Sequence, residues 1–186
     1  EHYMKWHMVS KLAAYLPGAP HAGEVTLRQL LSHTSGMPEY LDAVDHAGAI
    51  SKPATFDQLI AYVVGKPLDF APGSRWAYSN TGYLLLGRVI EIVSHESYLH
   101  YVQTHLLDPA GMTHTYTVAE EARLPGMAVG YSRENGRIEP APTIAASVGW
   151  AAGCLVSSVA DLEKWNEALR HGRIVTPADY ALMSTS

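Results

Sequence analysis

The feature that most constrains this fold is the apolar stretch YLLLGRVIEIV at residues 83–93. Its apolar side chains lie almost all the way round a helix, and such a helix is stable only when other elements cover it on every side. Asn80 and Thr81 stand just before the stretch, and both residue types are suited to capping a helix. The pattern therefore predicts a buried central helix, capped by Asn80 or Thr81, around which the chain packs.

Other segments predict helices that surround this central one. Thr26 with Gln29 and Thr55 with Gln58 have the spacing of a capping box, in which two side chains reciprocally satisfy free backbone N–H groups. The predicted helices begin near residues 27, 56, 97 and 158 and end near 33, 64, 107 and 169, and a last short helix begins at Pro177. Asn135-Gly136, between residues 128–134 and 137–139, predicts a hairpin because both turn residues tolerate positive φ. We therefore expect a mainly α fold with one small β-hairpin.

Composition excludes several classes of protein. The chain has 186 residues, of which 47% are hydrophobic, so it is long enough for a packed core. Cys154 is its single cysteine, which excludes a disulfide scaffold. The net charge of −5, with no run of Lys or Arg, argues against a nucleic-acid partner, and no apolar stretch reaches the ~20 residues that cross a membrane. One thiol suits a bacterial periplasmic or secreted protein and a cytoplasmic one equally, so the location stays open.

The most informative chemistry lies at the entrance of the central helix. Tyr78 and Asn80 are two residues apart in a short extended stretch, so their side chains lie on the same side. A Tyr hydroxyl can act as a general base when a nearby cation lowers its pKa from ~10. An Asn amide offers both a donor and an acceptor to a substrate amide. By spacing alone, a structural interpretation is favoured, with Asn80 as a helix cap and Tyr78 as an aromatic at the rim.

Four motifs, in a fixed order along the chain, resemble those of a known protein family. They are LLSHTSGMP at residues 30–38, PGSRWAYSNTGY at 72–83, PAGM at 109–112 and AGCLVSSVADL at 152–162. In this order they resemble the serine β-lactamase-like family, which includes class C β-lactamases, D-Ala-D-Ala carboxypeptidases and family VIII esterases. The resemblance extends from about Val9 to the C-terminus.

The resemblance implies a two-region fold, with an α/β sheet region, a helical region, and an active site between them. Acyl transfer in this family uses a serine nucleophile in a Ser-x-x-Lys motif, with a third motif, Lys-Thr-Gly or His-x-Gly, on a sheet strand. The resemblance implies that Tyr78 is the catalytic base and that Asn80 binds the substrate. It also implies a small-molecule or peptide substrate that carries an amide or an ester.

The sequence departs from the family in one large respect. It holds no Ser-x-x-Lys, because Ser10-Lys11 and Ser51-Lys52 are adjacent pairs. We therefore expect a partial helical domain over residues 9–186, an atypical N-terminal segment at 1–8, and a missing α/β domain. We expect the chain to be inactive alone, because binding groups without a nucleophile and an oxyanion hole give little acceleration. The face that would meet the α/β domain is expected to be apolar and to drive homo-oligomer formation.

The alternative is a non-catalytic module that binds a ligand or a metal. The ten His residues include His95, His100 and His105, whose spacing of five spreads them around a helix. The stretch from His2 to Met8 is the strongest candidate for a metal. The main expectation remains that the chain has no metal site and needs no cofactor. His33, in the Thr34-Ser35-Gly36 turn, is expected to pack structurally against the central helix.

Overall fold

The structure, a computed structural model, describes residues 9–117, 126–134, 136–153 and 155–185. The N-terminal segment 1–8, with the candidate metal stretch from His2 to Met8, lies outside the described residues, as do Asn135 and Cys154. The described chain is mainly helical, as the sequence predicts. Its α-helices are α1 (Leu27–Leu31), α2 (Leu41–His46), α3 (Phe56–Ile60), α4 (Asn80–Ser94), α5 (Tyr98–Val102), α6 (Asp108–Ala110), α7 (Ala146–Gly149), α8 (Val159–Arg170) and α9 (Pro177–Ser184).

Both predicted capping boxes are confirmed. The Thr26 hydroxyl accepts from the Gln29 N–H at 3.2 Å, and the Gln29 side chain accepts from the Thr26 N–H at 2.9 Å. Thr55 and Gln58 make the same reciprocal pair at 3.3 and 2.9 Å. The helix after Thr55 is shorter than predicted, since α3 ends at Ile60 and tight turns lead to Gly65.

The central helix α4 is confirmed, and its first half is buried through residues that include Leu84, Leu85 and Val89. The predicted cap is wrong. Ser79 occupies the cap position and makes no capping bond with its side chain. The first free N–H of the helix, at Asn80, instead donates to the Glu39 carboxylate at 2.6 Å. The helix ends at His95, which adopts a left-handed conformation with φ of 60°.

The segment predicted as one helix from Ser97 to Leu107 is confirmed in position but longer and irregular. After α5, a π-helical turn runs over Gln103–Leu107 and leads directly into α6. The helical stretch continues past Asp108 because proline is tolerated in the first turn of a helix, where its missing N–H has no intrahelical partner. Gly111, with φ of 72°, ends it.

Strands are few and short. They are β1 (Tyr116–Thr117), β2 (Tyr131–Glu134), β3 (Arg137–Pro140) and β4 (Leu155–Val156). The β2–β3 hairpin is the one that the sequence predicts, and Tyr131 pairs with Pro140 at its open end. The antiparallel β1–β4 pair is a second small sheet that the sequence analysis missed.

Helix α4 lies between two hydrophobic clusters. Leu85 and Val89 pack with Leu12, Val25 and Leu30 in the first. Leu84 packs in the second with residues of α2, α3 and α7, namely Val44, Leu59 and Val148, together with Tyr40 and Val63. A third cluster joins α5, α6 and α8. Over the described ranges, no helix combines the length and apolar character needed to span a membrane.

Candidate functional site

Two of the sequence motifs meet beside the entrance of α4. The segment 33–36 lies along the segment 69–77, and three backbone hydrogen bonds join them. The donors are the N–H groups of Ala77, Gly73 and Asp69, and the acceptors are the carbonyls of His33, Thr34 and Gly36, at 2.9, 2.7 and 2.8 Å. A Cβ at Gly36 would lie 2.3 Å from the Phe70 carbonyl oxygen, and the φ of this residue is +75°. Only glycine permits this approach, which explains the Ser-Gly turn of the first motif.

The structure brings Tyr78 and Asn80 together. The Tyr78 hydroxyl donates to Asn80 Oδ1 at 3.1 Å. The Tyr78 side chain is 56% exposed, so its phenol is accessible from solvent. Asn80 begins α4, and because its carbonyl oxygen is engaged by Tyr78, its amide NH₂ is the group that can donate to a ligand.

His33 packs against the Tyr78 side of this site. Its imidazole lies between two phenol rings, with centroid distances of 4.5 Å to Tyr78 and 5.1 Å to Tyr83. The Trp76 ring meets it edge-on at 6.1 Å. The Ser79 N–H donates to His33 Nδ1 at 3.2 Å. Burial lowers the pKa of His33, against a smaller opposing effect of the Glu39 carboxylate.

Tyr83 anchors the ring stack to the central helix. Its hydroxyl donates to the Leu31 carbonyl at 3.1 Å. Burial raises the pKa of the Tyr83 phenol, and the neighbouring Tyr78 phenol adds to this effect. Tyr83 therefore stays a neutral hydrogen-bond donor that fixes one side of His33.

Glu39 and Thr81 also hold the site, and the sequence analysis missed both roles. The two carboxylate oxygens of Glu39 accept from the N–H groups of Leu41 at 2.8 Å and Asn80 at 2.6 Å, so one side chain joins the starts of α2 and α4. The fully buried Thr81 hydroxyl donates to the Pro38 carbonyl at 2.6 Å and accepts from the Tyr40 N–H at 3.0 Å. Glu39 follows Pro38 and precedes a helical segment, which is the signal that could have identified it as a cap.

The serines near the site have structural surroundings. Ser35 is buried, and its hydroxyl accepts from the Met37 N–H at 3.2 Å inside the turn. Ser79 is 4% exposed, and its hydroxyl has no hydrogen-bond partner among the described residues. The ammonium of Lys11 donates to the Glu24 carbonyl, and that of Lys164 donates to Asp161 and the Gly111 carbonyl. Neither of these lysine contacts places an ammonium beside Tyr78.

Two of the three histidines that are spaced five residues apart share one carboxylate. His100 and His105 both approach the Glu96 carboxylate, at 3.5 and 3.1 Å, whereas His95 is the left-handed residue that ends α4. In the portion of the chain that the structure describes, no group of three or more His, Cys, Asp or Glu residues is arranged to hold a metal ion.

A separate groove lies between α2 and α3, away from Tyr78 and Asn80. Its volume is about 500 Å³, and Lys52 and Tyr62 are among its polar lining residues. Neither Tyr78 nor Asn80 lines this groove.

Comparison with known proteins finds a family model and a curated relative that match most of this chain. The family model described as Beta-lactamase matches residues 5–186. The putative penicillin-binding protein PbpX of Bacillus subtilis is 32% identical over 174 residues, which are 94% of this chain and 42% of that protein.

Solved structures give the same result. A D-stereospecific amidohydrolase from Streptomyces sp. superposes with a TM-score of 0.85 and 28% identity, covering 96% of this chain and 58% of that one. An octameric penicillin-binding protein homologue from Pyrococcus abyssi superposes with a TM-score of 0.78 and 32% identity, covering 96% of this chain and 43% of that one. The chain therefore spans about half the length of these relatives.

Proposed function

The chain belongs to the Beta-lactamase family, a family of serine hydrolase-like acyl-transfer proteins, and on that premise we propose that it contributes Tyr78 and Asn80 to an acyl-transfer site. The observation that carries the proposal is the Tyr78–Asn80 pair, joined at 3.1 Å on an exposed face where the two site-forming motifs meet. Tyr78 acts as the base, and Asn80 holds the substrate.

In this proposal, the lysine ammonium of the Ser-x-x-Lys motif holds Tyr78 as its phenolate, and the phenolate oxygen accepts the proton of the serine hydroxyl as that hydroxyl attacks the substrate carbonyl. The same oxygen then returns the proton to the leaving amine or alcohol, which leaves an acyl-enzyme that water hydrolyses. In the resting chain, Asn80 Oδ1 accepts from the Tyr78 hydroxyl, so the NH₂ of Asn80 is the group that donates to a carbonyl oxygen of the incoming substrate. This pair positions an amide or an ester but provides no nucleophile.

An α/β region completes the site in this proposal. It carries the Ser-x-x-Lys motif, which this sequence lacks, and a Lys-Thr-Gly or His-x-Gly strand. The exposure of Tyr78 and the half-length coverage of the relatives support this arrangement. Without that region, the chain binds substrate weakly and does not turn it over.

The substrate class that we propose is an amide or ester whose acyl part derives from a D-amino acid. Support comes from the D-stereospecific amidohydrolase, because it shares the fold with a TM-score of 0.85. A D-amino-acid amide and an acyl-D-Ala-D-Ala peptide both present the carbonyl that Asn80 is placed to hold.

Binding can be measured on this chain by NMR titration with an acyl-D-Ala-D-Ala peptide. We expect shifts at Tyr78 and Asn80, and smaller shifts with the L,L isomer. Loss of one hydrogen bond in Asn80→Ala should weaken binding about two- to tenfold. Asn166→Ala, at an exposed position of α8, is the matched control. Equal affinity of both variants and the unchanged chain would exclude this face as the ligand site.

Turnover separates the catalytic proposal from a module that only binds ligands. The gene sequence on both sides of this chain should encode the Ser-x-x-Lys and strand motifs, and the product that includes them should hydrolyse a D-amino-acid amide or ester. In that product, Tyr78→Phe should lower kcat by about 10²- to 10⁴-fold, as expected for loss of a general base. Tyr131→Phe, on the exposed hairpin, is the control. Binding with no hydrolysis in the longer product would favour the non-catalytic module.

A further inference from the structure

We propose that His33 is a positioning residue for Tyr78 and Asn80, and that it does so as a neutral imidazole whose Nδ1 is an acceptor and whose Nε2 carries the proton. The inference deepens the proposed function and rests on it, because it concerns the residue that holds the proposed base. It stands on the ring stack and on the Ser79 hydrogen bond.

The first observation is the ring stack. His33 lies between the Tyr78 ring at 4.5 Å and the Tyr83 ring at 5.1 Å, with interplanar angles of 32° and 27°. Tyr83 is fixed through its hydroxyl to the Leu31 carbonyl. The His33 imidazole, held in turn by Tyr83, is therefore a packing surface for the exposed Tyr78 ring.

The second observation is a hydrogen bond to the residue between Tyr78 and Asn80. The Ser79 N–H donates to His33 Nδ1 at 3.2 Å. An imidazole nitrogen can accept a hydrogen bond only when it carries no proton, so this contact selects the Nε2–H tautomer. Ser79 lies between Tyr78 and Asn80 in the chain. His33 Nδ1 therefore fixes the backbone from which both side chains project.

The third observation is the conformation of His33 itself. Its φ is +56°, a left-handed conformation that is uncommon for residues other than glycine. The backbone carbonyl of His33 accepts from the Ala77 N–H at 2.9 Å. The main chain of His33 thus binds residue 77 and its side chain binds residue 79, so His33 holds the segment 77–79 at two points, one on either side of Tyr78.

The surroundings of His33 act on the protonation of its ring in opposite directions. The Glu39 carboxylate favours the protonated ring, and burial, which is the larger effect, disfavours it. The phenols of Tyr78 and Tyr83 complete the surroundings of the ring. Protonation of His33 converts Nδ1 into a donor that opposes the Ser79 N–H. The segment 78–80 is then released, and the site loses its arrangement at acidic pH.

NMR of the isotope-labelled chain between pH 5 and pH 8 tests this inference. We expect the His33 ring to titrate below its ordinary value of about 6.5. The Ser79 amide and the Tyr78 ring protons should shift with the same midpoint. Below that midpoint, the Ser79 amide should be about fivefold less protected from solvent exchange, measured against the intrinsic exchange rate at each pH, as loss of one hydrogen bond predicts.

Two variants distinguish positioning from a general structural role. His33→Phe keeps a ring in the stack but has no acceptor, so the pH response of Ser79 should disappear. His33→Asn tolerates the left-handed backbone but lacks the ring, so the Tyr78 ring protons should lose the shift caused by the imidazole. His171→Phe, on the exposed end of α8, is the matched control and should leave the response intact.

If the chemical shift of the Ser79 amide stays constant while the His33 ring titrates, the inference is overturned. This measurement uses the unchanged chain, so it does not depend on whether a variant folds. A pH response that survives in His33→Phe would do the same. These readouts need no substrate or turnover. If Tyr78→Phe left catalysis in the longer product unchanged, the proposed function would fail while the coupling of His33 to Ser79 could still be measured.

Discussion

At the scale of single residues, two carboxylates hold separate segments of this fold together by accepting hydrogen bonds. Glu39 shares its two oxygens between the first turns of α2 and α4. Asp161 accepts from the His114 N–H at 2.6 Å, the Thr115 hydroxyl at 3.0 Å and the Lys164 ammonium at 2.7 Å. Asp161 is fully buried, so every one of these bonds replaces water that folding removed.

We expect Asp161→Asn to destabilise the chain at neutral pH, and we expect this effect to vanish in strong acid. Burial acts to raise the pKa of the Asp161 carboxyl, but Lys164, the His114 N–H and the Thr115 hydroxyl outweigh it and hold the pKa below the ordinary value. A carboxyl with a lowered folded-state pKa contributes stability that is fully present above its unfolded-state pKa. That stability is lost as pH falls through the folded-state pKa.

Urea unfolding at a series of pH values from 7 down to 2 measures this contribution. The stability of the unchanged chain should approach that of Asp161→Asn only below pH 4 or so, the ordinary range of an Asp carboxyl. Asp45→Asn, on the exposed side of α2, is the control for removal of a carboxylate and should leave the stability at neutral pH close to that of the unchanged chain. A constant difference between the unchanged chain and Asp161→Asn down to the lowest pH would contradict the assignment.

At the scale of elements, the position of α4 depends on close packing against the turn at Trp150–Ala152. A Cβ at Gly87 would lie 2.4 Å from the Ala151 Cβ and 3.1 Å from the Trp150 ring. In an exposed helix, glycine costs about 1 kcal/mol relative to alanine. Here a bulkier residue would separate the two elements, so glycine is required for their approach.

Gly87→Ala should therefore lower the free energy of unfolding by about 1–3 kcal/mol, although alanine is the better helix former. The double variant Gly87→Ala with Ala151→Gly removes the 2.4 Å contact and should recover part of this loss. Chemical unfolding of the four proteins in the cycle gives the coupling energy, expected above about 0.5 kcal/mol. A Gly87→Ala protein more stable than the unchanged chain would show that α4 and the turn are farther apart.

The element scale also shows where sequence patterns succeed. The capping boxes at Thr26 and Thr55, the apolar run of α4 and the β2–β3 hairpin are local signals, and each produced the predicted element. Helix α2 was missed because Tyr40 occupies its cap position and offers no capping side chain. Its first turn is capped instead by Glu39 from within the site.

At the scale of the whole molecule, large apolar side chains remain exposed on one face of the hairpin. The register Tyr131↔Pro140 and Arg133↔Ile138 places these four residues on the same face, because side chains alternate along a strand. Tyr131 is 64% exposed and Ile138 is 66% exposed. Exposed apolar faces of this kind favour association.

We predict that the chain self-associates and that Tyr131→Thr with Ile138→Thr reduces the association constant by about tenfold or more, since each side chain buries apolar surface on contact. Sedimentation equilibrium over a wide concentration range measures this constant. Val64→Thr, which changes an exposed apolar residue at a separate position, is the control. A chain that remains monomeric at high concentration would contradict the prediction.

The sequence by itself determined the buried central helix, most flanking helices, the hairpin, and the pairing of Tyr78 with Asn80 at the end of a short extended stretch. These features depend on periodicity, caps and turns, which are interactions between residues close in the chain. Only the tertiary structure decided that Glu39 rather than Asn80 satisfies the start of α4, and that His33 lies between Tyr78 and Tyr83. Those contacts join residues about 40 to 50 positions apart, and no local pattern specifies which distant side chain reaches a free backbone group or an exposed ring.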